Sequence, residues 1–493
     1  MSGWRNRRHA RIFLLLLCSV GVVSAIVAFG SVRQAAAKPA VSEHAKASVT
    51  ITLEGPNQWS TSGSSFGKPW EQEVARFEKA NPGVKVNTVV LPLSSFFQTE
   101  STQLAAGTAP ELVFNQASYK PYMLVPLDSY FSKPNPYAPG KSWFANFNPK
   151  YFGSAQANAD GHYYWVPFNL VGVALYANLN AFAKAGVKVP IKTWQDLRQA
   201  ASKLKKAGYT PLAMDNSAIG SNWTLGTILD MMLRKYYGQW NHFNVAGNPG
   251  VNATLTTKDQ VWAIKTGKLT AQLPEIGEAL QLDKELFTRD VTPNWSGITG
   301  LSGSVVGLAD FMDKKAALAW GVDFGYNDVA KAPFKVGSIP FPTITKATTT
   351  LAAHNAPAEF GVGAGGSSYM IPSSTKGDKL KYAIRFLQFM SAPKTVWPWL
   401  QGTGGIPALL GLTPPPNSVG FLAGAWGKPM KVQGLNLTSI GASFGTTFQQ
   451  IVEGYILGTT DLNGTLSALQ SYWNDAAAYQ IKQNNWGNES WAQ

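Results

Sequence analysis

Between Ser48 and Phe114 the sequence passes from strand to helix and back with only short connections, and this succession restricts the fold more than any other feature. Ser48 to Leu53 reads Ser-Val-Thr-Ile-Thr-Leu, the period-two pattern of a strand, and a loop rich in Gly, Pro, Asn and Ser follows from Glu54 to Lys68. Pro69 suits the first turn of a helix on which Trp70, Val74 and Phe77 share a face. Asn81-Pro82-Gly83 stops that helix, and Val84, Val86, Thr88 and Val90 alternate as a second strand. Ser95 and Gln98 have capping-box spacing ahead of a helix that ends at Gly107, and Glu111 to Phe114 is a third strand. Strands joined through helices in this way pair in parallel by right-handed crossovers, which predicts an open α/β sheet. Ligands of such sheets bind beyond the carboxyl ends of the strands, here the loops Glu54 to Lys68 and Asn115 to Tyr119.

A second α/β unit is predicted downstream. Tyr163 to Tyr176 ("YYWVPFNLVGVALY") reads as extended chain broken by Pro167. Thr193 with Asp196 caps a helix whose apolar side carries Trp194, Leu197, Ala201 and Leu204, and Gly208 ends it. Thr224 to Tyr237 and Glu275 to Phe287 read as helices, with Asn222 as a cap, while Ala316 to Trp320 and Lys335 to Ile339 are strand-like. A Gly-rich strand from Gly361 to Pro372 leads to a helix over Lys379 to Met390, and two more helices cover Thr447 to Leu457 and Leu466 to Gln480.

The first residues stand apart from this fold. Arg5, Arg7, Arg8 and Arg11 precede an apolar run from Ile12 to Phe29, and Ala35-Ala36-Ala37 supplies small residues for cleavage before Lys38. Residues 1–37 therefore read as a signal peptide, though the run is also long enough for an uncleaved anchor, and residues 38–47 read as a tether. Cys18, the single cysteine, follows the bulky Leu17 inside that run, so the mature chain has no thiol for disulfides, catalysis or metal binding. Five arginines fall within the leader, leaving 37 basic against 28 acidic residues. That excess is dispersed, with no basic and aromatic stripe, which speaks against a nucleic-acid partner. With 45% hydrophobic and 14% charged residues, the 493-residue chain can bury two or more cores.

Five stretches carry a family resemblance: "VARFEKANPGVKVNTV"; "TQLAAGTAPELVFNQAS" followed by "VPLDSYF"; "YYWVPFNLVGVALYANLNAFAKAGVKVPIKTWQDLRQAASKLKKAG"; "KKAALAWGVDF" leading to "FKVGSIPFPT"; and "GGSSYMIPSSTKGDKLKYAIRFLQFMSAPKTVWPWLQGTGGIPAL". In this order they resemble the extracellular solute-binding proteins of ABC importers, in particular the carbohydrate-binding group that includes maltose-binding protein. The resemblance implies a type II periplasmic-binding-protein fold with two α/β lobes, residues 48–168 with 343–407 and residues 173–340 with 410–493. It also implies hinge crossings at Val166 to Val173, near Phe341 to Phe360 and after Pro407, with solute in the cleft between the lobes. The expected protein is a monomeric, exported receptor without enzymatic activity, metal or cofactor, which delivers a sugar or oligosaccharide to the transmembrane subunits of an ABC permease.

A neutral sugar needs flat aromatic platforms for its C–H faces and polar side chains for its hydroxyls. Trp59 sits in the loop after the first strand, and Asn115 and Gln116 follow the third. Phe168 and Asn169 lie at the first crossing, and Trp223 and Trp295 occur in turn-rich surroundings. In the family a small-residue turn after "AAL"-like text delivers an aromatic platform; here Phe324 falls on that position, with Asp323 before it and Trp320 in the preceding strand. Phe stands where relatives often carry Trp, which weakens the expected stack. Gly404 and Gly405 in "TGGIP" resemble a cleft-bordering turn whose amides would bond solute. For each residue the alternative is packing: Asn169 tying down backbone, the aromatics filling cores, the glycines supplying positive φ.

Other functions are weighed against this. A secreted glycoside hydrolase needs paired carboxylates across a cleft, and no cluster marks such a pair. The histidines, His9, His44, His162, His242 and His354, lack ligand spacing. Ferric-binding relatives of this fold use adjacent tyrosines, and Tyr163-Tyr164 and Tyr236-Tyr237 are such pairs; polyamine binding is disfavoured by the basic balance.

Overall fold

The crossover pattern read from residues 48–114 is present in the computed structural model as three parallel strands, β1 (Val49–Pro56), β2 (Val84–Leu91) and β3 (Leu112–Phe114). Further strands are β4 (Pro134–Asn135), β5 (Ala138–Ser142), β6 (Trp165–Pro167), β7 (Leu170–Val171), β8 (Val173–Asn178), β9 (Thr210–Ala213), β10 (Ala316–Val322), β11 (Val336–Ile339), β12 (Gly363–Ala364) and β13 (Ser368–Met370). The structure describes residues 49–493 except 57–65, 93–94, 117–118, 159, 190, 245, 252–254, 302–303, 355–356, 359–362, 365, 423–436, 438–439 and 442–445. The leader and the tether lie outside the described residues, as does Trp59. Lys46–Gln493 forms one compact unit. Among the described residues no helix is long and apolar enough to cross a membrane.

The first sheet has the order β2-β1-β3-β13-β6. Its helices form where expected: Lys68–Ala80 begins with Pro69 in its first turn and buries Trp70 and Phe77. Phe96–Ala106 ends at Gly107, whose φ of 69° needs glycine. Ser95 does not cap this second helix with its side chain, and Gln98 reaches forward to Thr102 instead of back to Ser95, so the capping-box spacing is not used. The core beneath this sheet is aromatic. Trp70 stacks on Phe168 and meets Trp399 edge-on, at centroid distances of 6.5 and 6.1 Å, and Phe168 stacks on Tyr369 at 5.1 Å.

The second sheet has the order β11-β8-β10-β9. Beside it the helix Trp194–Lys206 starts with the predicted reciprocal cap: Thr193 Oγ1 accepts the Asp196 amide at 3.1 Å, and Asp196 Oδ2 accepts the Thr193 amide at 2.9 Å. Trp194, Leu197, Ala201 and Leu204 are all buried, as the helical period requires. The next helix is Ala218–Leu233, six residues earlier than the expected start at Thr224. Strand β9 was not recognisable because it is four residues long and contains Pro211; it comes last in the sheet order, and beyond it Leu212 is bridged to Val291.

Candidate functional site

Strand register fixes where the chain passes between the sheets. In the first sheet, β13 runs antiparallel to β3 and β6, with Ser368 opposite Pro167 and the Asn115 amide bonded to Ser368 O at 2.9 Å. The carboxyl ends of β3 and β6 therefore share an edge with the start of β13. In the second sheet, Val322 at the end of β10 pairs with Val173 at the start of β8, and β9 runs parallel to β10. Between these two edges lie the two-stranded pair β7 with β12 and an isolated bridge from Leu170 to Ile406. Both sheets thus present strand carboxyl ends to one junction, the location where α/β folds bind ligands. The first junction segment is the expected one. The expected second crossing near Phe341 to Phe360 differs, since Phe341, Ile344 and Ala352 pack in the core of the second sheet and the chain returns through Gly363–Ala364.

The polar groups at these strand ends define the chemistry. Glu54, near the end of β1, is buried; Gln103 Nε2 donates to its Oε2 at 3.5 Å, while Oε1 has no hydrogen-bond partner among the described residues. Burial raises the Glu54 pKa, and the Gln103 bond opposes this. Behind it Glu100 Oε1 accepts the Phe114 amide at 3.2 Å, and burial pushes its carboxyl up to about 9, with Glu54 adding to the rise. On the other side, Asp215 and Ser217 follow β9. Asp215 Oδ1 accepts the Ser217 amide and hydroxyl, and Oδ2 accepts the Gly307 amide at 2.7 Å, so this carboxylate is fully engaged. Asp323 follows β10; burial pushes it up to about 7 against the backbone amides of Gly172, Asp323, Ile406 and Phe324. Ser221 Oγ and Asn222 Oδ1, in the first turns of Ala218–Leu233, are buried without hydrogen-bond partners. Glu54, Asp215 and Ser217 escaped sequence reasoning. The signal for the first was its place near the carboxyl end of the first strand; for the others it was hidden with β9.

Among the described residues, the strand ends and connections at the junction, residues 54–56, 66–67, 113–116, 119, 168–172, 213–233, 298–301, 304–307, 321–330, 363–364, 366–367 and 402–409, contain neither Lys, Arg nor His. Their other carboxylates are also engaged, with Asp230 accepting the Tyr237 hydroxyl at 2.6 Å and pairing with Arg234, and Asp328 accepting the Ser304 hydroxyl at 2.9 Å.

The predicted site residues separate into groups. Asn115 is half-buried and Gln116 exposed at the end of β3. Trp223, half-buried, lies inside the helix Ala218–Leu233 rather than before it, edge-on to Trp320 at 6.2 Å, and Phe324 is half-buried against the first core. The others are interior. Phe168 belongs to the aromatic stack under the first sheet, and Trp295 packs edge-on against Phe287 at 5.0 Å. Trp320 stacks on Phe341 at 4.8 Å and donates its indole N–H to Thr224 Oγ1 at 2.9 Å. Asn169 accepts the Ser367 amide, tying backbone as its alternative reading held. Gly404, with φ 71°, ends the helix Pro393–Thr403, and the amides of both Gly404 and Gly405 donate to Leu400 O, which satisfies the helix end rather than leaving donors for a solute.

The tyrosine pairs are engaged in packing. Tyr163 donates to Gly153 O and Tyr164 to Asp160, while Tyr236 donates to Glu275 and Tyr237 to Asp230. Among the described residues no three His, Cys, Asp or Glu side chains group as a metal site.

The sequence profile of the family described as bacterial extracellular solute-binding protein matches residues 60–397. A putative binding protein of Brucella abortus is 27% identical over 206 residues, 41% of this chain and 46% of that protein, so the chain spans under half the length of this relative. The sn-glycerol-3-phosphate-binding periplasmic protein of Escherichia coli is 25% identical over 373 residues, covering 71% of this chain and 73% of that one. Among solved structures, the solute-binding protein RafE in complex with raffinose has a TM-score of 0.62 at 18% identity, covering 87% of this chain and 99% of that chain. A chitin oligosaccharide binding protein has a TM-score of 0.60 at 18% identity over the same shares. At these identities the likeness concerns the fold, which is the two-lobed α/β fold of type II periplasmic binding proteins. The chain belongs to the bacterial extracellular solute-binding protein family.

Proposed function

We propose that this protein is the extracytoplasmic receptor of an ABC importer, binding a neutral carbohydrate between two lobes and delivering it to the permease subunits. The lobes are residues 49–167 with 366–409 and residues 173–352 with 419–483. The observation that carries the choice of solute is the charge of the junction. A phosphate ester, such as the one in the name of the Escherichia coli relative, calls for Arg or Lys, and the surrounding segments contain none. A polyamine calls for available carboxylates, and Asp215, Asp230 and Asp328 are already engaged while burial favours the neutral forms of Glu54 and Asp323. Hydroxyls suit what remains: Glu54 Oε1, Asn222 Oδ1 and Ser221 Oγ among hydrogen-bonding groups, and the half-buried rings of Trp223 and Phe324. Asn115 and Gln116 complete this set at the β3 end. The protein acts as a monomer and without catalysis, exported by its leader.

The test is a thermal-shift panel of neutral mono- and oligosaccharides, sn-glycerol-3-phosphate, ferric citrate and spermidine on the purified mature chain. A neutral sugar is expected to stabilise the protein by about 2.7 kcal/mol at one hundred times its Kd. A response to glycerol-3-phosphate, iron or spermidine alone overturns the reading, and so does turnover of glycosides.

A further inference from the structure

The connections between the sheets meet at one carboxyl group. Gly172, just before β8, and Asp323, just after β10, are tied twice: Asp323 N donates to Gly172 O at 3.0 Å, and Gly172 N donates to Asp323 Oδ1 at 2.9 Å. The third connection joins at the same point, since Leu170 N donates to Ile406 O at 2.8 Å and the Ile406 amide acts on the Asp323 carboxyl. From β8, the Tyr176 hydroxyl donates to the carbonyls of Val322 at 2.7 Å and Asp323 at 3.1 Å. Asp323 is fully buried, and its Oδ2 has no hydrogen-bond partner among the described residues. A carboxylate that accepts the Gly172 amide and lies within the influence of the Ile406 amide couples two connections that are themselves bonded through Leu170 and Ile406, and a buried oxygen left unsatisfied makes that coupling dependent on charge.

We propose that Asp323 is a positioning residue for lobe movement, its carboxyl latching the first and third connections so that its protonation shifts the balance between lobe arrangements. This rests on the receptor reading above. In water an aspartate has the ordinary value of 3.8, whereas burial in this junction raises it to about 7. The packed junction therefore binds the proton more tightly than a junction opened to water. It gains on the opened one as pH falls from about 7 toward 3.8, by at most about tenfold per pH unit for one proton, and the balance does not change with pH above that range. Tyr176 from β8 is the ionisable group facing Asp323 among the described residues, and Tyr326 and Asp328, from the turn after β10, act with Asp323 on the Tyr176 hydroxyl. The segments 168–172, 363–367 and 402–409 add no titratable side chain, so no base offsets the carboxyl.

The mature chain has no cysteine, so exposed Lys79 on the first lobe and Lys206 on the second can be replaced together by cysteine and labelled as a distance pair. The label-to-label distance distribution is measured from pH 5.5 to 8.5 without solute. It is expected to be constant on the alkaline side of about 7 and to shift progressively as pH falls below it, and Asp323→Asn is expected to abolish the shift. Tyr176→Phe, which removes the hydroxyl but leaves the carboxyl, is expected to keep it. A pH-independent distance in the labelled parent overturns the proposal even if Asp323→Asn fails to fold, and so does a shift unchanged by that substitution. Because no solute is present, a sugar panel without hits leaves this result standing, and a panel with hits does not rescue a flat pH profile.

Discussion

Asn169 Oδ1 accepts the backbone amide of Ser367, joining two connections that lie 198 residues apart in the sequence. A Cβ on the neighbouring Gly366 would lie 2.6 Å from that same oxygen and 2.9 Å from Leu170 O, so the pairing requires glycine there. Asn169→Ala strands a buried amide and is expected to cost about 1–3 kcal/mol of stability. Gly366→Ala is expected to be at least as harmful because backbone as well as side chain must move. Urea unfolding checks both; a Gly366→Ala protein as stable as the parent would show that the pairing is dispensable.

Trp320 and Trp223 touch, yet different outcomes are expected for them. Trp320 is fully buried and hydrogen-bonded, so Trp320→Ala should lose about 3–5 kcal/mol of stability. Trp223 is half-buried and is proposed as a solute platform, so Trp223→Ala should weaken sugar binding at least about tenfold, the loss of roughly 1.4 kcal/mol of contact, at a smaller stability cost. Calorimetric titration beside thermal melting separates the two effects. Unchanged affinity in a folded Trp223→Ala protein removes Trp223 from the site.

Asp283 is buried within the helix Pro274–Arg289 with neither carboxyl oxygen hydrogen-bonded. Burial pushes its pKa well above the ordinary 3.8, so the folded chain holds it as the neutral acid. The stability linked to a raised pKa is complete below the unfolded value and lost as pH rises toward the folded one. Asp283→Asn is therefore expected to match the parent near pH 4 and to be the more stable protein at pH 8. Denaturation curves at both values test this, and a constant difference between the proteins contradicts it.

Lys258 is a buried cation that anchors the chain end. Its Nζ donates to Gly247 O and Glu489 Oε1, each at 2.7 Å, and lies over the rings of Phe243, Trp486 and Trp491. Lys258→Met is expected to cost about 2 kcal/mol, the order of a charged hydrogen bond. The Glu489 carboxyl is held below its ordinary value by the bond to Lys258, so this part of the stability is present above that value and fades as pH falls. Since Glu489 is partly exposed, the pH effect should be small. Proteolysis of the last ten residues, fast in the variant and slow in the parent, is the readout; equal rates would refute the anchor.

The sequence by itself determined the α/β alternation, the parallel pairing of the first three strands, and the reciprocal cap of Thr193 and Asp196. These depend on residues close together in the chain, where period, proline and capping chemistry act directly. Only tertiary structure decided which aromatics are core and which can meet solute. Trp320 and Trp223 look equivalent as letters, and their difference comes from a strand with neighbours on both sides against a helix turn beside a strand edge. Pro211 concealed β9 and with it Asp215 and Ser217, since so short a strand is held by its pairing with β10 and by the bridge from Leu212 to Val291, which exist only in the assembled sheet. The meeting of Gly172, Asp323 and Ile406 was likewise beyond local reading, because hydrogen bonds between connections so distant in sequence exist only once both sheets have formed.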